Sequence, residues 1–519
     1  MRTIKVVQIG GLRCDLSDTL APEFKYYWIA NDRVVDADNK LAPFEDGRLK
    51  PGFRTAIFLI APGSRLLDDT ELVAQLPAYQ VIYDEHLVLA PDIEALLDVK
   101  AAQAMALLQP ETVAHAINDD YFGGQTGYKL NFNEVRITPN FTGQVRQEGH
   151  NRMLYTGSFG NQPQQLLNWR QRGFVMIDYQ VTVLPEAAVL SGDVTISFKF
   201  YLVDRDTNQV NKVIEKTFDD LQEPFQLPQS DKVQFVYVTV WAQGTGQISI
   251  GNCHFRRSRR QRGELMPGGV RVVDQAKMRT ELLVYFNPGD MKPPLNIYFS
   301  GYRTAEGFEG AFMMQGLGSP FLLIGDPRLE GGGFYMGSAQ LEADLVKTID
   351  GYLDQLGFTH DQLILSGLSM GTYGALYYAA KLKPYAVIVG KPLVDLGTMA
   401  ENERINRPGG FPTSLDNLLW HTGRADSRGV TELNRHFWAQ FNTGDFENTT
   451  FAISYMKEDD YDQTAFQELF RTLKHRFPNI KLLYKGLTGR HNDDTNGIVT
   501  WFLDQYHNLL HTGFGRQVD

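Results

Sequence analysis

Cysteine is scarce: Cys14 and Cys253 are the only two, far apart in the chain. Two thiols so placed exclude a disulfide framework and a cysteine-rich metal cluster, and they suit a reducing compartment. A dinucleotide fingerprint is missing as well. Gly10-Gly11 follows an apolar run near the start, but G-x-G-x-x-G does not, so a small α/β unit without a cofactor is expected there. Positive charge is in deficit, with 50 Lys and Arg against 61 Asp and Glu and a net charge of -11. That balance argues against general nucleic-acid binding. Long apolar runs are lacking too. The uncharged stretch from Leu363 to Ala380 is interrupted by Ser366, Ser369, Thr372 and three glycines, and it is barely long enough to span a bilayer. The start, MRTIKVVQIGG, holds no signal-peptide core, so retention in the cytoplasm is expected.

What is present is concentrated in DQLILSGLSMGTYGALYYAAK, residues 361–381. A short apolar run, then Gly367-Leu368-Ser369-Met370-Gly371, then an apolar helical stretch is the strand–turn–helix pattern of a nucleophile elbow. A serine on so tight a turn needs neighbours with almost no side chain, so that the turn closes and a substrate can approach. The helix start behind it offers free N–H groups and a positive dipole to a developing oxyanion. The plain alternative, a serine between two loop glycines, lacks the strand and the long helix found here.

A serine hydroxyl needs a base, and the base needs an acid to hold its tautomer, in the chain order Ser, acid, His. Of the eleven histidines, His475 falls in a helical pattern, and His507 and His511 belong to the last helix and tail. His491 follows the last predicted strand, in GLTGRHNDD, where a base on a strand-end loop belongs. The stretch FAISYMKEDDYD offers Glu458, Asp459, Asp460 and Asp462 as acids. Counting three residues past a strand end at Tyr455, as in the G-x-x-D turn of many hydrolases, selects Glu458, with Asp460 next. Asp462 suits the N-cap of the following helix. Oxyanion donors are expected at the backbone of Met370 and in Gly301-Tyr302-Arg303, with Tyr302 the leading residue there. Arg303 is a candidate to steady an acyl or sugar group, with a surface ion pair as its alternative. No metal site is expected.

At 519 residues the chain has room for about three units of ~150 residues. Residues 1–118 alternate strand-like and helix-like runs, with a helix expected over Asp92–Leu107. Residues 122–256 show alternating strands at Val175–Val183, Val194–Val203, Val233–Trp241 and Gln247–Ile250, the pattern of an antiparallel β-sandwich. Trp169, Tyr155 and Trp241 are its candidate glycan-facing aromatics, with core packing as the alternative for each. The basic run RRSRRQR at 256–262 is expected to be a solvated linker. Residues 265–519 alternate in the α/β manner, and the segment 395–445 is expected as a cap. The fold class is therefore α/β: an α/β-hydrolase unit preceded by a β-sandwich and a small α/β unit.

The chain also resembles a known family, the second accessory Sec system proteins of Gram-positive bacteria. The resemblance rests on IKVVQIG, FSGYRTAEGFEG, LSGLSMGTYGALYY, FAISYMKEDDYD and KGLTGRHNDDT, and it runs essentially end to end. It implies an O-acetyltransferase acting on N-acetylglucosamine of serine-rich repeat adhesins. It also implies work with two sister accessory proteins and a SecA-type motor at the cytoplasmic face of the membrane, in peripheral association through the translocase. By motif, Ser369 is then the nucleophile, Glu458 the acid and His491 the base. No tightly bound cofactor is implied, and the acetyl donor is not identified by these motifs. A carbohydrate esterase with the same triad, or a non-catalytic scaffold, are the competing readings.

Overall fold

The computed structural model describes residues 3–35, 40–177 and 179–517. It is a mixed α/β chain built on three main sheets. In the first, parallel strands Ile4–Ile9, Phe24–Ile29, Ile57–Ile60, Val81–Asp84 and Gln103–Met105 are ordered second, first, third, fourth, fifth. Apolar side chains cover both faces, as a parallel sheet requires. The helix expected over Asp92–Leu107 stops at Val99; Ala101, at φ 50°, turns the chain into the edge strand Gln103–Met105.

In the middle region, where a sandwich is expected, nine antiparallel strands hydrogen-bond into one continuous sheet. Three strands are very long, Arg152–Trp169, Val181–Asp204 and Gln234–Arg257. Register shifts interrupt their pairing, and such bulges bend a strand. Both halves of each strand therefore feed one apolar core, which holds Tyr155 and Trp169 as well as Phe198 and Val238.

The third sheet carries the serine. Its strands are β1 (Gly269–Asp274), β2 (Thr280–Asn287), β3 (Leu295–Phe299), β4 (Phe321–Gly325), β5 (Leu363–Leu368), β6 (Ala386–Gly390), β7 (Thr450–Met456) and β8 (Leu482–Leu487), in the order β1-β2-β4-β3-β5-β6-β7-β8. From β3 and β4 through β8 every pairing is parallel, while β2 runs antiparallel to both its neighbours. The central strands are largely apolar and buried along almost their whole length because both faces are covered. The covering helices include α1 (Ala339–Leu356), α2 (Met370–Leu382), α6 (Ala465–Arg476) and α7 (Thr495–Phe514). Between β6 and β7 lie α3 (Leu396–Ile405), α4 (Thr413–Thr422) and α5 (Ser427–Phe441).

The basic run is not a solvated linker. Arg256 is buried between Glu306 and Glu281, and Arg259 donates to the carbonyls of Asp120, Phe122, Gly124 and Leu265. Arg262 reaches Tyr79 O and Gln103 Oε1. A guanidinium fork can satisfy several carbonyls at once, so these arginines fasten the three sheets together. No helix among the described residues is long and apolar enough to cross a membrane.

Candidate active site

Ser369 sits between β5 and α2 with φ 52° and ψ -119°, a strained geometry for a residue with a Cβ. Glycine on either side makes it feasible. A Cβ at Gly367 would lie 2.3 Å from the carbonyl of Gly371, and one at Gly371 would lie 2.0 Å from Phe299 O. The turn is pinned through Ser369 N to Gly390 O at 2.9 Å and Thr372 Oγ1 to Ser369 O at 2.6 Å.

Ser369 Oγ lies 2.8 Å from His491 Nε2, and His491 Nδ1 lies 2.8 Å from Asp459 Oδ2. An ionised carboxylate only accepts, so Nδ1 carries the proton and Nε2 accepts from the serine hydroxyl. The imidazole is fully buried and stacked on Tyr461, with ring centroids 4.2 Å apart. Tyr461 is covered in turn by Phe411 from the β6–β7 insertion and by the Arg407 guanidinium. Phe411 also meets the ring of Tyr302 at 5.3 Å. Aromatic surface from three loops therefore walls the imidazole off from water.

The profile of the family described as accessory Sec system GspB-transporter matches residues 4–516. The chain belongs to that family. An accessory Sec system protein of Streptococcus gordonii is 34% identical over 520 residues, covering 99% of each chain. One from Staphylococcus aureus is 43% identical over 398 residues, 76% of this chain and 75% of that one. Among solved structures, a chain of the Glycosylation Associate Protein (Gap123) complex from Streptococcus agalactiae superposes with a TM-score of 0.84, at 35% identity and 99% coverage of both chains.

In this member of the family the expected acid needs correction. Glu458 faces outward and accepts from Gly489 N, away from the imidazole. Asp460 Oδ1 accepts from the backbone N–H of His491 at 3.1 Å, and its other oxygen pairs with Arg407. Asp459 is the inward carboxylate because its chain tightens after β7: Oδ1 accepts from Tyr461 N at 2.9 Å, leaving Oδ2 for the ring. Only the shape of that turn separates three adjacent acids, and Tyr461, two residues on, was missed for the same reason.

Asp462 does not cap its own helix, whose N-cap is Thr464. Its Oδ2 instead accepts from Val394 N and Asp395 N at 2.7 and 2.8 Å, joining the β6 loop to the β7 loop. Burial pushes Asp395 up to about 7, with Asp462 and Glu468 adding repulsion. Burial likewise pushes Asp462 up to about 6, against the opposing pull of its two N–H donors.

Around Tyr302, Gly301 N donates to Glu309 at 2.6 Å and Arg303 N to Gly331 O at 3.1 Å. The N–H groups of Tyr302 and Met370 make no such bond among the described residues. The Arg303 guanidinium donates to Ala305 O and Phe308 O, so it braces its own loop. Trp169 is 1% exposed and Tyr155 is fully buried; both belong to the core and neither faces a glycan. Trp241 is half-buried, with Nε1 on Thr239 Oγ1 and Lys199 above its ring.

Proposed function

We propose that this chain is a serine-triad O-acetyltransferase on an α/β-hydrolase scaffold, acting within an accessory Sec export system on sugar of a glycosylated adhesin. The observation that carries the reading is the unbroken hydrogen-bonded line from Ser369 through His491 to Asp459. The strand order of the third sheet and the strained turn at Ser369 support the scaffold.

In the first step His491 Nε2 takes the Ser369 proton as Oγ attacks the acetyl carbonyl of the donor. The negative oxygen faces the N–H groups of Met370 and Tyr302. The bond to the leaving group breaks, and that group takes the proton back from Nε2. A sugar hydroxyl then loses its proton to Nε2 and attacks the acetyl-serine; the bond to Oγ breaks, Ser369 takes that proton from Nε2, and the acetylated sugar is released. Asp459 holds the Nδ1 proton throughout and stabilises the imidazolium in each step. Transfer outruns hydrolysis if water is excluded, and the rings of Tyr461, Phe411 and Tyr302 supply that cover.

The glycosylation complex named for the Streptococcus agalactiae structure, and the transporter description of the family, support sister accessory proteins as partners. The SecA-type motor, the adhesin and a place at the cytoplasmic face follow from the resemblance. The test is acetyl transfer to an N-acetylglucosamine-bearing glycopeptide, read by mass spectrometry. Ser369→Ala is expected to cut turnover roughly a millionfold, by analogy with loss of the nucleophile in a serine protease. Acetylation that persists in that variant sinks the enzyme reading. Water as the only acceptor used by the wild type would make the protein an esterase.

A further inference from the structure

Between the middle sheet and the loops flanking the site lies a cavity of ≈ 500 Å³. Tyr128, Asn131, Asn133 and Asn252 line it from the middle sheet, and Thr304 and Glu330 from the other side. Its chemistry is narrow. The Lys129 ammonium is taken up by the carbonyls of Pro327 and Leu329. His150 is held by Asp416, through its N–H at 2.9 Å and its ring nitrogen at 3.1 Å. Lys129 is thus turned toward backbone carbonyls, and the exposed carboxylate of Glu330 adds negative charge to the lining.

The remaining groups suit a neutral ring bearing hydroxyls. Asn252 is 5% exposed; its Oδ1 accepts from Phe132 N, while its amide nitrogen has no acceptor among the described residues. That nitrogen is free to donate to a ligand or to water. Tyr128 is stacked on Phe255 at 5.4 Å, and its hydroxyl accepts from Phe174 N at 2.9 Å, so the ring is fixed while 36% of the residue stays exposed. A rigid aromatic face beside amides and one carboxylate matches the apolar face and hydroxyl edge of a sugar.

The cavity is also joined to the site. Its wall at Leu329 and Glu330 continues into Gly331, on which the Tyr302 ring rests, and then Gly332, which abuts the Met370 sulfur. That wall is stiff. Asp326 accepts from Gly333 N and Tyr335 N at 2.9 Å each, and the buried Arg328 ties Asp326 to Met336 O.

We propose that this cavity is the acceptor subsite, holding one neutral sugar residue of the glycan while another hydroxyl on the same chain of sugars reaches Ser369 past Tyr302. The inference rests on the acyl-transfer reading and adds a location and a ligand class to it.

The test uses the full chain carrying Ser369→Ala, which binds without turnover. Methyl β-N-acetylglucosaminide and its β-linked disaccharide serve as probes, followed by saturation-transfer NMR and calorimetry. Binding is expected, and adding Tyr128→Ala or Glu330→Gln is expected to weaken it at least about tenfold. The exposed Glu330 variant keeps the question answerable if Tyr128→Ala unfolds. No sugar binding, binding indifferent to both changes, or displacement of the sugar by coenzyme A overturns the subsite. Acetyl-ester turnover by the Ser369-intact chain is scored separately. Its absence beside variant-sensitive sugar binding sinks the transfer chemistry and leaves the sugar site standing.

Discussion

Among the described residues two histidines are buried with both ring nitrogens engaged, and their partners make them different kinds of group. His254 lies between two carboxylates, with Nδ1 on Glu306 and Nε2 on Glu186 at 2.9 Å. His491 has a carboxylate on one side and a hydroxyl on the other. Burial pushes the His254 imidazole down, but Glu306 and Glu186 outweigh it and hold it at about 9. With both nitrogens donating, His254 is a fixed cation with no lone pair to offer. His491 keeps Nε2 as an acceptor pointed at an oxygen that can attack. Burial and a carboxylate neighbour do not identify a base; the second partner does.

The comparison breaks hardest at Asp459. Asp459→Asn should leave the fold in place and cut kcat about ten-thousandfold, because the amide no longer holds the proton on Nδ1. Steady-state turnover of an acetyl ester reads this. At the other histidine the loss falls on stability. His254→Gln strips the cation from Glu186 and Glu306 and should cost about 3–5 kcal/mol in chemical denaturation. Because His254 is raised from its ordinary value, its contribution is complete below pH about 6.5 and fades as pH climbs through about 9. The wild-type advantage over His254→Gln should shrink across that window.

A smaller effect sharpens the contrast between the proposed catalytic carboxylate and a supporting one. Asp395 is raised to about 7, so the folded chain keeps a proton there that the unfolded chain has released. Stability from this group is present below pH about 4 and declines as pH rises through about 7. Asp395→Asn should flatten the thermal midpoint against pH over that range. Glu458→Gln should do least, changing stability by no more than about 0.5 kcal/mol and turnover by a few-fold at most. A ten-thousandfold loss there, with Asp459→Asn nearly silent, would reverse the assignment of the acid.

Much of the third sheet was legible because its signals are local. Continuous apolar strands alternate with amphipathic helices, and the elbow needs small residues at fixed offsets from Ser369. The single acid was not legible, since Glu458, Asp459 and Asp460 share one turn and differ only in where the backbone aims them. Misreading RRSRRQR as a linker has a similar cause. Arginine is usually exposed, and only the carbonyls and carboxylates brought in from other segments turn Arg256 and Arg259 inward. Trp169 and Tyr155 looked like ligand-facing rings because alternation along a strand does not say which face is covered once the strand bends. The closing of nine strands into one sheet depended on long-range register.

By itself the sequence determined the elements, the serine and the histidine, because propensity, periodicity and the steric demands of a tight turn act within a few residues. Tertiary structure alone decided which carboxylate meets His491, which arginines are interior and where a cavity opens beside Tyr302. Those outcomes turn on groups from separate segments, Asp459 and His491 among them at 32 positions apart, arriving within hydrogen-bond distance, and no local preference encodes that.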